Sequence, residues 1–249
     1  MLTLSTGWSK RWKTSKNGKP RTSRSCYLCK SVHTLCVGQA LICSSLQGHS
    51  IEVHVSSGSD RAIWNIPKAL LQHHSDYFRL TCSKGYLART HTLSDCAPRL
   101  FQHFVQWMYF GTIPTLEDEY HCDELRLWAL GSKLVAKEFK DFVMRKIYEL
   151  YSFAGGDPVH FSVKEAEWCW NNTAPESCLR KLFLDLLPQH WIYLEYFGDG
   201  KEDWSEFFAR HPDLSHTLLL AVAGACADRK GKPEVMPVTG YLESSKVEK

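Results

Sequence analysis

A change of hydrophobic period at Pro67 sets the fold class of this 249-residue chain. Before it, Ile51, Val53 and Val55 alternate with Glu52 and His54, the period of two expected of a half-buried strand. The turn cluster 56–60 separates that strand from a returning one at 62–66. Pro67 then ends the strand and opens a helix over 68–74, because its fixed φ and missing N–H suit a first helical position. Ser75 offers an N-cap for a second short helical turn through Tyr77, Phe78 and Leu80. A third short strand is expected at 90–93, with Asp95 as a cap and Pro98 as an early helical position. Leu100, Phe101, Phe104, Val105, Met108 and Tyr109 recur at helical spacing until Gly111 stops the helix. Further helices are expected at 125–133 and 137–151. Strands followed by helices, with one strand between helices, make this an α+β fold.

Charge divides the chain at nearly the same place. Residues 1–51 carry eight basic side chains and no acid, and the remainder holds 22 basic and 27 acidic groups, a net of −5. The molecule therefore reads as a mildly acidic body behind a basic arm at 1–47. That arm is poor in aliphatics and is not expected to fold alone. Gly155-Gly156-Asp157-Pro158 breaks the chain again. Residues 160–228 then read as a smaller, mostly helical region, with helices near 164–171, 176–187, 204–209 and 213–226 and aromatic packing from Trp168, Trp170, Phe183 and Trp204. Residues 229–249 are polar and expected to fray. Residues 115–124, with five acids, are expected to form a solvated loop and helix start.

Ten cysteines in a chain of this length are too few for a disulfide scaffold. Cys82, Cys96, Cys122, Cys169, Cys178 and Cys226 sit in apolar or helical stretches and read as reduced, buried thiols. The longest apolar runs, 32–46 and 218–227, fall short of the ~20 residues that cross a bilayer. No apolar run opens the chain as a secretory signal would, so the expected location is intracellular, in cytoplasm or nucleus. The acid-free start also suits a mitochondrial transit peptide, but it is only weakly amphipathic.

The candidate sites are few. Cys26 and Cys29 form a CxxC, the tight turn that supplies two zinc ligands, with His33, Cys36, Cys43 and His49 following. Cys36 and Cys43 have six residues between them, with apolar positions among these, and are not a second CxxC, and the reading is no metal and no cofactor. Trp8, Trp12 and Tyr27 interleave with the basic residues of the arm, a pattern that suits phosphate contact plus stacking. No folded nucleic-acid-reading motif accompanies them, and a solvated tail is the preferred reading. His73-His74 beside Asp76 lacks a nucleophile or second carboxylate and reads as surface or cap. No phosphate loop, dinucleotide fingerprint, nucleophile elbow or zinc-protease motif occurs, so no enzyme is expected.

From Ile51 to Tyr151 the order of these pieces resembles a BTB/POZ domain. Ile66-Pro67-Lys68-Ala69-Leu70-Leu71 is similar to the family's "vHKalL", and Ser75-Asp76-Tyr77-Phe78 to its "S-x-yF". Leu93 to Phe101, through Asp95, resembles "i-x-L-x-d-x-x-p-x-x-F". Phe104 to Ile113, with Trp107, Tyr109 and Gly111, resembles "f-l-x-W-l-Y-t-G-x-i", and 127–134 the "l-y-x-L-A-x-k-l" helix with Gly131 inside it. Residues 172–182 are similar to an "nT-p-x-S-x-L-R" segment found after the domain in filamentous-fungal BTB proteins. The resemblance implies a small sheet flanked by helical hairpins over 48–152. It also implies a protein-interaction role, by self-association or by recruiting a partner protein. In some members that partner is a cullin-type ubiquitin-ligase scaffold. Cullin-binding members often carry a hydrophobic-x-Glu motif before the third strand, whereas residues 77–94 here contain no acid.

Overall fold

Strand β1 (Ser50–Ser57) pairs antiparallel with β2 (Asp60–Pro67) across a two-residue turn at Gly58 and Ser59. The register sets Ile51 opposite Ile66, Val53 opposite Trp64 and Val55 opposite Ala62. Ile51, Val53, Val55, Ala62, Trp64 and Ile66 therefore share one face. Strand β3 (Thr90–Ser94) joins the other edge of β1 in parallel, with Leu93 beside Val55. A parallel neighbour needs a crossover, and two short helices supply it: α1 (Lys68–His74) and α2 (Asp76–Ser83). The chain is seen as a computed structural model that describes residues 48–83, 89–114, 122–152, 162–192, 201–227 and 235–243. All of these belong to one compact unit.

The local punctuation works largely as the sequence suggests. Pro67 is both the last residue of β2 and the N-cap of α1. Ser75 caps α2: its hydroxyl accepts the Phe78 N–H at 3.3 Å and donates to the Leu134 carbonyl at 2.6 Å, fixing the crossover to the next helical hairpin. Helix α3 (Pro98–Phe110) carries Pro98 in its first turn, and it ends at Gly111. Gly111 takes φ 69°, a left-handed angle open to glycine, and returns its N–H to the Trp107 carbonyl at 2.7 Å. Asp95 differs from expectation. It is not the cap of α3, which begins from Ala97 without a side-chain bond. Asp95 instead adopts φ 56°, a region aspartate tolerates better than most residues, and redirects the chain from β3 into the helix.

Helices α4 (Cys122–Lys133) and α5 (Lys137–Tyr151) form the second hairpin. Val135 joins them at φ 50°, an unfavourable angle for a β-branched residue. The Ala136 N–H bonds the Gly131 carbonyl at 2.9 Å, closing a Schellman-type end with valine where glycine usually stands. Gly131 is needed for another reason: a Cβ there lies 2.6 Å from Lys140 Cγ and 3.2 Å from a Phe139 ring carbon.

Among the described residues the remaining elements are α6 (Val163–Asn172), α7 (Cys178–Ile192), α8 (Lys201–Arg210), α9 (Pro212–Ala227) and a 3-10 turn, Val238–Tyr241. The architecture is α+β, a three-stranded sheet with helical hairpins followed by a mostly helical region, as the sequence leads one to expect. Helix α7 continues past Pro188, where the sequence suggests a stop. Proline removes one backbone bond there, but Leu186, Leu187 and His190 are buried, and that packing carries the helix onward. Tyr241 and Leu242 are also buried, in a stretch expected to fray.

One core runs from the inner sheet face through α3, α5 and α7. Its centre is a chain of rings. Trp64 meets Phe101 at 5.1 Å, Phe101 meets Phe104 at 6.0 Å, and Phe104 meets Phe139 at 5.1 Å.

Candidate interaction surface

The signature residues build the scaffold. Leu70, Leu71, Phe78, Leu93, Phe101 and Trp107 are buried, and Ser75 is buried in its cap. Tyr77 is half-buried and shares a hydrogen bond with His91 Nε2 at 3.0 Å, tying α2 to β3. Tyr109 packs against the core, while Asp95 and Gly111 lie exposed at the two ends of α3. These residues meet through the core and do not converge on a cleft.

A cleft of about 540 Å³ opens where Asp60, Asp95, Arg99, Asp123, Arg126, Lys133 and Trp168 meet. Four of its charged side chains are held by groups of the fold itself. Arg99 Nη2 holds Asp123 Oδ2 at 2.6 Å, and Arg126 Nη1 lies 3.5 Å from Oδ1 of the same carboxylate. Lys133 Nζ donates to the carbonyls of Ser94 at 2.7 Å and Asp95 at 3.3 Å. The cluster therefore braces the β3–α3 turn against α4. It also corrects the expectation of a solvated acidic stretch. Asp123 and Glu124 are both buried, and Arg99, 24 positions earlier in the chain, meets Asp123 in space. Glu117, Asp118 and Glu119 lie outside the described residues.

His73 and His74 separate. His73 is exposed, while the His74 ring packs edge-on against Trp107 at 5.0 Å, so only the first is surface. Burial, with His73 adding repulsion, pushes the His74 imidazole down from 6.5 to about 4. The folded state thus favours the neutral ring, whereas unfolding frees it to take a proton below about pH 6.5. Stability is intact above pH 6.5 and falls as pH drops toward 4, where the loss is complete. His74→Gln should flatten the urea midpoint across that window by about 1–2 kcal/mol after allowing for solvent screening. An unchanged pH slope counts against this account. His91 and His103 are lowered by burial too and add to the same trend.

Cys82, Cys96, Cys169 and Cys178 are free and buried. Burial pushes the Cys96 thiol up to about 11 and the Cys169 thiol up to about 12, so both stay protonated near neutrality. Cys122, Cys226 and the cluster Cys26, Cys29, Cys36 and Cys43 lie outside the residues whose side chains are described. Among the described residues, no three His, Cys, Asp or Glu side chains converge on a metal position, and no helix is long and apolar enough to cross a membrane.

Residues 172–182 have a structural job that sequence pattern alone does not reveal. Ser177 caps α7 by accepting the Arg180 N–H at 3.2 Å. Leu179 is buried, and the Arg180 guanidinium reaches back to Thr173 Oγ1 at 3.1 Å and to the carbonyls of Trp170 and Thr173. The segment clamps the α6–α7 turn.

Several large apolar side chains are left exposed. The outer sheet face pairs His54 with Ile63 on one side and Thr92 on the other. Ile63 keeps 60% of its surface exposed, Leu80 on α2 63%, and Phe110 at the end of α3 74%. On α9, Leu219 and Leu220 stand exposed side by side. Sequence periodicity places Phe110 at the end of a helix but does not show which side of that helix is uncovered.

No protein-family model matches the chain, and no curated protein does. Among solved structures, the chain is similar to the BTB domain of human gigaxonin at 11% identity and TM-score 0.36, over 53% of this chain and 99% of that one. It is also similar to the BTB domain of zebrafish PATZ1, at 16% identity and TM-score 0.34, over 51% and 99%.

Proposed function

We propose that this chain is a non-enzymatic protein-interaction module. Residues 48–152 self-associate or recruit a partner protein, and the helical region at 160–228 adds a second surface. The exposure of Ile63, Leu80 and Phe110 on the part that resembles a BTB/POZ domain carries this reading. Contiguous apolar surface, more than single exposed side chains, marks a face that another protein covers, and these three are the large apolar groups that the described part leaves most open there. Leu219 and Leu220 support the second surface in the same way. The likeness of 172–182 to filamentous-fungal members, and an intracellular location, belong to the same reading and rest on the sequence. The cullin-adaptor alternative rests on the resemblance alone, against the acid-free stretch 77–94. The nucleic-acid alternative rests on the basic arm alone.

Light scattering of the full chain tests the self-association arm. At tens of micromolar it should run at twice its 28.6 kDa mass, and Phe110→Ser should shift it toward monomer. A strict monomer that also captures no partner in pull-downs overturns the reading.

A further inference from the structure

The described end of the chain is gripped by charged groups. The 3-10 turn lies across α5 and α7, where Tyr241 and Leu242 are buried. The Tyr241 ring stands 6.2 Å from that of Tyr148 on α5. Its hydroxyl donates to Asp185 Oδ2 on α7 at 2.6 Å and accepts the Met236 N–H at 3.2 Å. One residue beyond Leu242, the Glu243 N–H donates to Asp141 Oδ1 at 2.8 Å, and the Glu243 carboxylate pairs with Lys140 Nζ. Lys140 and Asp141 are both buried on α5, and Lys140 is further held over the Trp128 ring at 4.4 Å.

Burying charges is a poor way to gain stability, so these pairings are better read for what they select than for what they stabilise. Three charged side chains on two helices are matched to a hydroxyl, a backbone amide and a carboxylate within three residues. Gly240 completes the shape, since a Cβ there lies 3.1 Å from Met236 Cε and the turn closes tightly over that side chain. A lone 3-10 turn has little stability of its own, and this one is held by the groove. Beside Glu243 a cleft of about 350 Å³ continues along Trp128, Ser132 and Lys140 to Ala174 and Ser177, with room for chain beyond the acid.

We propose that the groove between α5 and α7 is a peptide-binding site for a Gly-Tyr-Leu-acid turn. Residues 238–243 are its intramolecular occupant, displaced by a partner segment of the same chemistry. The site uses none of Ile63, Leu80 or Phe110, so it stands or falls separately from the self-association reading.

The test uses a blocked, fluorescent nonapeptide with the sequence of residues 235–243 and a chain ending at Glu234. The shortened chain should bind the peptide one to one. A tethered competitor acts at roughly millimolar effective concentration, so the full chain should bind it about 100-fold more weakly. A peptide carrying Tyr241→Phe should lose about tenfold through the missing bond to Asp185. Should the shortened chain not fold, full-length Tyr241→Ser/Leu242→Ser opens the groove instead, with the same binding expected. The proposal is overturned if a folded, opened chain does not bind, or if the wild type binds as tightly. It is equally overturned if both altered chains unfold, since the segment is then an integral part of the core.

Discussion

Phe104→Ala should lower the stability of the chain by about 3–5 kcal/mol, a large share of the total that holds a typical domain folded. Phe104 is fully buried in the middle of the ring chain, 6.0 Å from Phe101, 6.1 Å from Trp107 and 5.1 Å from Phe139. Truncation removes the transfer free energy of the ring and leaves a cavity. It also breaks ring contacts, each contributing about 0.5–1.5 kcal/mol beyond area burial. The neighbours come from α3 itself and from α5, so no single flexible side chain can swing in to fill the space. For a chain of this size the melting temperature should fall by about 10–15 °C. Phe104→Leu, which restores part of the volume, should cost less than half as much. Equal costs for the two would mean that the site collapses freely and that the ring chain is not the centre of the core.

Glu165→Ala should cost about 3 kcal/mol, for a different physical reason. Glu165 is a buried carboxylate in the first turn of α6. It accepts the Tyr151 hydroxyl at 2.6 Å, and its other oxygen takes the Ser162 N–H at 2.8 Å and the Ser162 hydroxyl at 3.0 Å. The Glu165 N–H returns to Ser162 Oγ at 3.3 Å, which makes a capping box. Removing the carboxylate loses a cap worth about 1 kcal/mol and strips the buried Tyr151 hydroxyl of this acceptor, at about 1–3 kcal/mol. Tyr151 ends α5, and its carbonyl also receives the N–H of His190 Nε2 on α7 at 2.8 Å. One residue thus ties α5 to both α6 and α7. The urea midpoint should drop with no change in slope. In a double-mutant cycle with Tyr151→Phe the two losses should fall short of adding. A cost below about 1 kcal/mol, or strict additivity, would falsify the shared hydrogen bond as the link.

The elements were legible in the sequence wherever the signal is local. The period of two around Val53, the imino ring of Pro67, the hydroxyl of Ser75 and the glycine at 111 each act within a few residues of themselves. Asp95 misleads because aspartate suits both an N-cap and a left-handed φ, and only the path of the chain chooses between them. Val135 gives no warning, since the usual glycine at a helix end is missing and the surrounding hairpin holds the unfavourable angle in place. The burial of Asp123 depends on Arg99, and that of Tyr241 on Asp185, 56 positions away. No window of sequence contains such pairs. The same holds for the surface: periodicity separates a buried stripe from the rest of a helix, but the uncovered side chains at Ile63, Leu80 and Phe110 are defined by what the assembled fold leaves bare.

The parallel pairing of β1 with β3 carries a consequence for synthesis. The hairpin β1–β2 can close as soon as Pro67 is free of the ribosome, because its partners are neighbours along the chain. The second edge of β1 must wait for Ser94, after the whole α1–α2 excursion. At about 5–20 residues per second that leaves a central strand half-paired for a few seconds in every nascent chain. During that interval its open row of amides and carbonyls is a template for any other extended segment. Arrival of β3 turns this vulnerable edge into the middle of a sheet.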